Sequence, residues 1–513
     1  MELIESSSIT KKGDDDSKAT VSSAEIGNMQ ELPRKFSVWS LGALLACLMA
    51  TWEALTSVVA QALISGGAPC LFYNYIISFL GTMALACSMA EIASIYPTAG
   101  GQYHWVACLA PRSSRATASW FTGWISIGGQ IVLTASAAFA AGLQLLGLVN
   151  LNNPDFVPQR WQGVLFYWLV LGYVLVINVW GSRFLSHANI AAGVLHVVGF
   201  VVVITVIGAT TETKHSAAYV FTEVSNSSGW QSDGIAWLVG LLSTVYPFLG
   251  YDAAAHLAEE LHNPARNVPI AMIGSIAVNG LLGFIYCIVL LFCLGDLDSL
   301  LESTTGFPFM QLFLNSTRSR AGATVLALII SLTAVGGAFA GLISTSRTAW
   351  AFARDGAMPF SKYFAHLHSE RQVPVRMCVL LTVVQGLIGL IYVGNTTAFN
   401  AILSMSILGM YASYVVPIAF MLIYGRAPSP HRTLRFGPFR LGKWGVAVNV
   451  IALAWGVLAM LFSMFPSYQP VTPQNMNYSS VVMAGWIAVG AAYFYVFQRR
   501  SYEGPSDLSS ELL

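Results

Sequence analysis

Two acidic side chains, Glu53 and Asp252, sit deep inside long apolar stretches of a 513-residue chain, and their chemistry needs a partner. An ionisable group near the middle of a bilayer costs about 2.5–3.5 kcal/mol on insertion scales, so it persists where it is paired or faces a watery cavity. A structural ion pair or hydrogen bond is the bland reading, but no Lys or Arg lies deep within these stretches to make an ion pair. The absence points toward a cation supplied from outside. Both acids also lie in sequence suited to interrupting a helix. The first is framed by Thr51-Trp52-Glu53-Ala54-Leu55-Thr56-Ser57, the second by Tyr246-Pro247-Phe248-Leu249-Gly250-Tyr251-Asp252. Pro247 removes one backbone donor and frees carbonyls in the turn before it, and Gly250 tolerates unwinding. Irregular backbone at membrane depth is viable where it lines a cavity.

Covalent chemistry finds no comparable support. The chain has no H-E-x-x-H, G-x-S-x-G or Cys/His cluster, so no catalytic residue, metal site or cofactor is expected. Cys47, Cys70, Cys87, Cys108, Cys287, Cys293 and Cys378 are scattered without paired spacing and read as buried free thiols. Residues 437–443 mimic the start of a phosphate-binding loop, but Trp444 stands where Ser or Thr should hold magnesium and no strand precedes. A net charge of +1 says little about partners by itself, and no nucleic acid is expected as one.

The elements that must position the two acids are membrane spans. With 55% hydrophobic and 10% charged residues, the composition lies far from a soluble domain, where roughly a quarter of residues are charged. Runs such as 190–209, 273–294 and 446–465 are mostly apolar all round. About 20 such residues cross the roughly 30 Å hydrocarbon layer. The pattern predicts an all-α integral membrane protein with about twelve spans. Six lie near 37–64, 70–94, 117–148, 161–181, 187–208 and 235–257. Six more lie near 269–294, 322–350, 374–393, 398–424, 444–466 and 480–498. Residues 1–35, rich in Ser, Asp, Glu and Lys, read as a disordered tail, and 499–513 as a short polar one. The division is then an N-tail at 1–35, a ten-helix core at 36–424, two further spans within 425–498, and the C-tail.

With both tails placed in the cytoplasm, only Arg160, Lys214, Arg318 and Arg320 of the 25 Lys and Arg residues fall outside. The positive-inside rule favours that orientation. The sequons at Asn226, Asn315, Asn395 and Asn477 all fall in the outer loops as candidate glycosylation sites, with Asn395 close to the membrane. Outward-facing sequons suit a plasma-membrane protein.

Three segments on the inner side are more specific than hydropathy. Residues 89–105 carry Glu91, Pro97, Gly100 and Gly101. Residues 248–269 carry Phe248-Leu249-Gly250-Tyr251-Asp252, then His256, Glu259, Glu260, Asn263, Pro264, Arg266 and Pro269. Residues 344–359 carry Arg347, Arg354, Asp355, Gly356 and Pro359. Together these resemble the amino acid–polyamine–organocation superfamily, and within it the fungal amino acid/choline permeases that handle choline and 4-aminobutyrate. The resemblance covers the first ten spans and extends over the helical region. It implies a five-plus-five inverted repeat (LeuT-type) near 37–208 and 235–424 with two extra helices, and alternating access driven by a cation gradient, often H+ and often by symport. Carried over by motif, Phe248, Leu249 and Gly250 match the unwound part of the sixth helix, whose carbonyls would receive a substrate ammonium. Asp252 follows as a candidate coupling group.

Counting back from Gly66-Gly67, which resemble the end of the first helix, Trp52-Glu53-Ala54 fall at that helix's usual break. Many superfamily members have a Gly–small–Gly triplet there that binds a substrate carboxylate. This chain has no glycine and an acid in the middle. A fixed anion repels a carboxylate and attracts a cation, by roughly 4 kcal/mol at 4 Å before desolvation. Trp52 and Tyr251 add possible cation–π faces. The expected substrate site is therefore Thr51, Trp52, Glu53, Ala54, Phe248, Leu249, Gly250, Tyr251 and Asp252, with a small amine or amino acid as partner beside the lipid bilayer.

Glu259, Glu260, Arg266, Arg347 and Arg354 are placed to form an inner ion-pair gate, with plain surface pairing as the alternative. His196, inside the fifth span, reads as a hydrogen-bonded core residue more readily than as a proton relay. The small-residue run 336–341 suits close helix packing. The expected function is thus a secondary permease for choline-like, polyamine or 4-aminobutyrate substrates. A carrier of a nitrogenous secondary metabolite uses the same features, and a nutrient sensor on a permease scaffold is the competing class.

Overall fold

The structure, a computed structural model, describes residues 36–181, 185–427 and 434–505. The N-tail, part of the loop around Arg432 and the last residues of the C-tail lie outside the described residues. Among the described residues, twelve helices are long and apolar enough to cross a membrane. In chain order they are α1 (Val38–Val58), α2 (Ala60–Ile95), α3 (Arg115–Asn152), α4 (Arg160–Trp180), α5 (His187–Thr210) and α6 (Asp233–His256). The second six are α7 (Pro264–Phe292), α8 (Arg320–Arg354), α9 (Val375–Gly394), α10 (Ser404–Gly425), α11 (Gly442–Ser463) and α12 (Ser479–Gln498). The twelve expected spans map onto them one to one. The expected gap between the first two spans, residues 65–69, contains Gly67 at φ 74° and ψ −163°, where the chain turns within α2. Residues 60–66 therefore extend the first crossing.

Apolar side chains divide into two layers. Val194, Val197, Val198 and Val201 on α5 are exposed, as are Val383 and Leu387 on α9 and Val481 and Val489 on α12. These outward rows suit lipid. The helices that meet in the middle are α1, α3, α6, α8 and α10, where small residues let backbones touch. A Cβ on Gly129 of α3 would lie 2.8 Å from the Gly409 carbonyl carbon of α10. Within the small-residue run, Gly337 faces the Cys47 carbonyl of α1, and Gly341 faces Thr134 of α3. Close approach of this kind replaces the hydrophobic drive that is missing between helices in lipid.

Two of the central helices are broken. In α1 the stretch Val38–Met49, capped by Ser37 accepting the Ser40 amide, ends at Ala50 with φ 41° and ψ 49°. Helix resumes at Thr51–Val58. The break thus falls just before the expected Trp52-Glu53-Ala54 position, and those three residues are helical. A left-handed alanine is strained by about 1–3 kcal/mol and persists only where its surroundings over-determine it. In α6 the helix tightens over Tyr246–Phe248, becomes extended at Leu249 (ψ 151°), passes Gly250 at φ 102°, and resumes at Ala253–His256. That break lies where Pro247 and Gly250 place it. The interruptions fall in the first and sixth spans, the pair an inverted repeat would relate.

The Gly129–Gly409 approach predicts that Gly129→Val overpacks the α3–α10 seam and destabilises by about 1–3 kcal/mol. Gly172→Ala, on a helix face with nothing within 4 Å of the added carbon, is the neutral control. Thermal unfolding of the two purified variants in detergent checks this, with a clear fall expected only for the first.

Candidate functional site

Between the broken helices lies a cavity of about 480 Å³. Its wall comes from α1, α3, α6, α8 and α10, with Phe307 from the α7–α8 connection. Helical phase decides what α1 contributes. Glu53, Ala54, Ser57, Val58 and Gln61 recur at one-turn spacing on the cavity side. Trp52, Leu55, Thr56 and Val59 point into the packed core. From α6 the extended residue Leu249 reaches the wall, as do Tyr246 and Ser243 one and two turns earlier. The remainder is mainly apolar, with the hydroxyls of Thr134, Ser136, Ser404 and Ser406 and the amides of Gln61 and Gln144.

Among the described residues, Glu53 is the one carboxylate in the cavity wall, and no Lys or Arg lines it. Its side chain is 2% exposed, and Oε1 lies 2.8 Å from Nδ1 of His196, which is 1% exposed. Glu53 Oε2 and His196 Nε2 have no hydrogen-bond partner among the described residues. The carboxylate sits in the first turn of the helix that restarts at Thr51, where the helix dipole favours negative charge. Ser57 donates to the Glu53 carbonyl at 3.3 Å, so its oxygen accepts from Gln144 Nε2 at 3.0 Å. That order fixes the amide and leaves Gln144 Oε1 without a partner.

The structure thus brings Glu53, Ala54 and Leu249 of the expected site to the cavity, and it places the others elsewhere. Thr51 spans the two breaks, its hydroxyl donating to the Pro247 carbonyl at 2.8 Å. Its amide donates to Asn279 Oδ1 at 3.4 Å. Trp52 packs against His196, Phe200 and Tyr286, behind the carboxylate and away from the cavity wall. Phe248 stacks on Phe79, and Tyr251 packs on Tyr414. Gly250 makes room for Leu48, 2.9 Å from where its Cβ would be. The aromatic faces in the wall are Phe139, Tyr246 and Phe307 in place of Trp52 and Tyr251.

Asp252 belongs to a separate buried network. It accepts from Tyr414 at 2.7 Å and Gln102 at 2.8 Å, and lies 3.2 Å from His256. His256 continues to Gln130, and Gln130 to Thr348. Both Asp252 oxygens are therefore engaged, and the residue ties α3, α6, α8 and α10 together. Gly101, at φ 55°, lets this network close, because a Cβ there would meet the His256 ring at 2.7 Å.

Beyond that network, toward the ends of α6 and α8, lie the expected gate residues. Arg347 donates to Glu260 at 2.8 Å, with both side chains 1% exposed. Arg354 takes both oxygens of Glu259 at 3.1 and 3.2 Å, and Ala99 donates its amide to the same carboxylate. Arg266 stands apart from these pairs. It is exposed in the first turn of α7 and makes no ion pair among the described residues. A third pair that the sequence did not suggest joins Glu91 to Arg426, with Glu91 also accepting the Leu441 amide. The segment resembling a phosphate loop thus docks on the end of α2. Burial pushes the Tyr103 phenol well above its usual range, so it remains a donor to Asp355, at 2.7 Å. We call this end of the bundle the arginine-rich face.

The candidate glycosylation residues lie in the connections of the opposite face. Asn315 and Asn395 are exposed, Asn226 is half-buried, and the Asn477 amide nitrogen donates to the carbonyls of Ser463 and Phe465. His196 is the participant whose role the sequence left open. It was legible as a polar residue in an apolar span, but the acid it meets is 143 residues away.

Comparison with known proteins agrees with this architecture. The amino acid permease family model matches residues 36–489. The choline transporter of Saccharomyces cerevisiae is 30% identical over 94% of this chain and 84% of its own length. A Macrophomina phaseolina protein provisionally named an amino acid/polyamine transporter is 33% identical over 84% of this chain and 95% of its own. An amino-acid permease of Arabidopsis thaliana is 32% identical over 94% of this chain and 95% of its own. The chain belongs to the amino acid permease family and is a multi-pass membrane transporter.

Removing one partner of a buried ion pair leaves an uncompensated charge, at about 3–5 kcal/mol, whereas replacing both by apolar groups is often neutral. Arg347→Met is therefore expected to lower thermal stability strongly, and Glu260→Leu with Arg347→Met to recover most of it. Melting curves of the single and double variants check the pairing.

Proposed function

We propose that this permease is a secondary active carrier of small cationic amines, working by alternating access and coupled to protons. Choline-like and polyamine substrates fit best, with 4-aminobutyrate as the zwitterionic member of the set. The observation that carries the reading is the unpartnered Glu53 oxygen at a cavity whose wall holds no other formal charge besides the Glu53–His196 pair. An amine cation supplies the missing charge, and apolar walls with aromatic faces suit its methylene or methyl groups. From the α6 break, the extended Leu249 is the residue that reaches the same wall. The yeast relative is named for choline and the Macrophomina relative for amino acids and polyamines, in line with this chemistry.

The charge distribution of the chain supports a cytoplasmic arginine-rich face, and the outer-loop sequons suit a plasma-membrane location. In that orientation the ion pairs of Glu259 and Glu260 close the cytoplasmic side, and the cavity extends toward Phe307 on the outer side. An outward-facing carrier is what this arrangement supports, with Asn315 and Asn395 the exposed members of the four outer sequons. One observation keeps a second reading in play. At about 480 Å³ the cavity falls in the range of roughly 300–1,000 Å³ typical of pockets for larger ligands, so a bulkier nitrogenous metabolite also fits.

The test is uptake of labelled choline, putrescine, 4-aminobutyrate and a neutral amino acid by cells lacking their own carriers, at two external pH values. Glu53→Gln is expected to cut uptake of the cations at least tenfold while surface expression is kept. Unchanged cation kinetics in that variant would overturn the assignment of Glu53.

A further inference from the structure

We infer that Glu53 and His196 hold one exchangeable proton that competes with the substrate amine for a single negative charge, making transport a proton–amine exchange rather than a co-transport. The inference rests on the amine reading of the cavity and adds the sense of its coupling. The pair is 2.8 Å apart and almost completely buried, and it lies at the break of α1. The other titratable groups within reach of its charge are the Cys47 thiol of α1 and the Tyr286 phenol of α7, both neutral near pH 7. Across the cavity, α6 presents the Tyr246 phenol, and α3, α8 and α10 present hydroxyls, an amide and apolar groups.

The charge states follow. With the shared proton the pair is neutral overall, whether the proton sits on imidazole or carboxylate. Without it, the neutral imidazole donates from Nδ1 to an ionised Glu53, and the site carries one negative charge. A singly charged amine beside Glu53 Oε2 restores neutrality, through an N–H donated to that oxygen where the amine has one, and a diamine does so only as its monocation. Holding proton and amine together would leave a net positive charge with no second acid in the wall to meet it. Holding neither would bury a bare carboxylate through the conformational change. Both are penalised in an apolar, desolvated bundle. The two neutral states, proton-loaded and amine-loaded, are the ones that can close and reopen. On each cycle the arriving amine releases the proton to the open aqueous side, and a proton from the other side later releases the amine.

Asp252 does not offer the same exchange. Its oxygens are satisfied by Tyr414, Gln102 and His256, and it is absent from the cavity wall.

The full-length protein in proteoliposomes provides the test. Counterflow of labelled choline, putrescine and 4-aminobutyrate, which needs no gradient, first establishes transport. Failure of all three overturns the amine reading and the exchange with it. Counterflow confined to 4-aminobutyrate overturns the exchange alone, because a zwitterion brings no net charge. For a transported monovalent cation, an acid interior is expected to drive accumulation of up to tenfold per unit of pH difference, with alkalinisation of the lumen. Accumulation driven instead by an acid exterior means co-transport and overturns the proposal. In the wild type, KM for the amine is expected to rise up to tenfold per pH unit on the acid side, with maximal rate unchanged. His196→Asn keeps a donor toward Glu53 but cannot titrate. It should retain counterflow and move the midpoint of that KM profile at least one pH unit lower. An unshifted profile in a variant that still exchanges substrate removes His196 from the proton site.

Discussion

A helix interrupted inside an apolar bundle leaves donors and acceptors that no water reaches, and in this permease the two interruptions satisfy each other. The Thr51 hydroxyl donates to the Pro247 carbonyl, an acceptor at the α6 break, while Asn279 receives the Thr51 amide at the restart of α1. Without such partners each unpaired group would cost several kcal/mol in hydrocarbon. The link also sets the rotation of the second half of α1. Once Thr51 faces α6, the residues at Glu53, Ser57 and Gln61 must face the cavity, and Trp52 and Thr56 must face the core. The site is therefore a consequence of how the breaks are sealed.

Charge is divided along the same axis. On the arginine-rich face, Glu260, Glu259 and Glu91 each meet a guanidinium. A guanidinium stays protonated at any ordinary pH, so the basic half of each of these pairs keeps its charge. Glu53 meets an imidazole instead. An unperturbed imidazole changes charge near neutral pH, and on the proposed reading the pair at the cavity is the one that exchanges a proton. Arginine in place of His196 would satisfy Glu53 just as well structurally, and would leave no charge for a substrate to answer.

Much of this was legible in the sequence, and what was not has identifiable causes. Hydropathy alone gave the twelve spans and the depth of Glu53 and Asp252. Pro247 and Gly250 marked the α6 break because both act through the local backbone. Ala50 gave no such signal, and the contacts from α6 and α7 at this break are made by its neighbour Thr51. The break in α1 accordingly lies before the position that motif spacing indicated. Sequence proximity placed Asp252 beside the α6 break, and so in the expected site. After the extended Leu249 the chain turns Asp252 toward His256, four residues on, and toward Tyr414 and Gln102, which only the folded bundle brings near. The same limit hid the partner of Glu53. An imidazole and a carboxylate on α5 and α1 share no sequence pattern that announces their contact.

The acid in α1 also bears on the choice between cations and zwitterions. The start of a half-helix carries partial positive charge, and in transporters with broken helices that end commonly receives the anionic group of a substrate. Here the first turn after the break contains Glu53, so the protein's own carboxylate already answers the dipole. A substrate carboxylate would meet a position that is both electrostatically satisfied and of like charge. An amine meets the reverse, since His196 orients the carboxylate while its second oxygen has no hydrogen-bond partner among the described residues. An acid in this first turn thus moves the anion from the ligand to the wall, and on the proposed reading it is this transfer that makes the site one for amines.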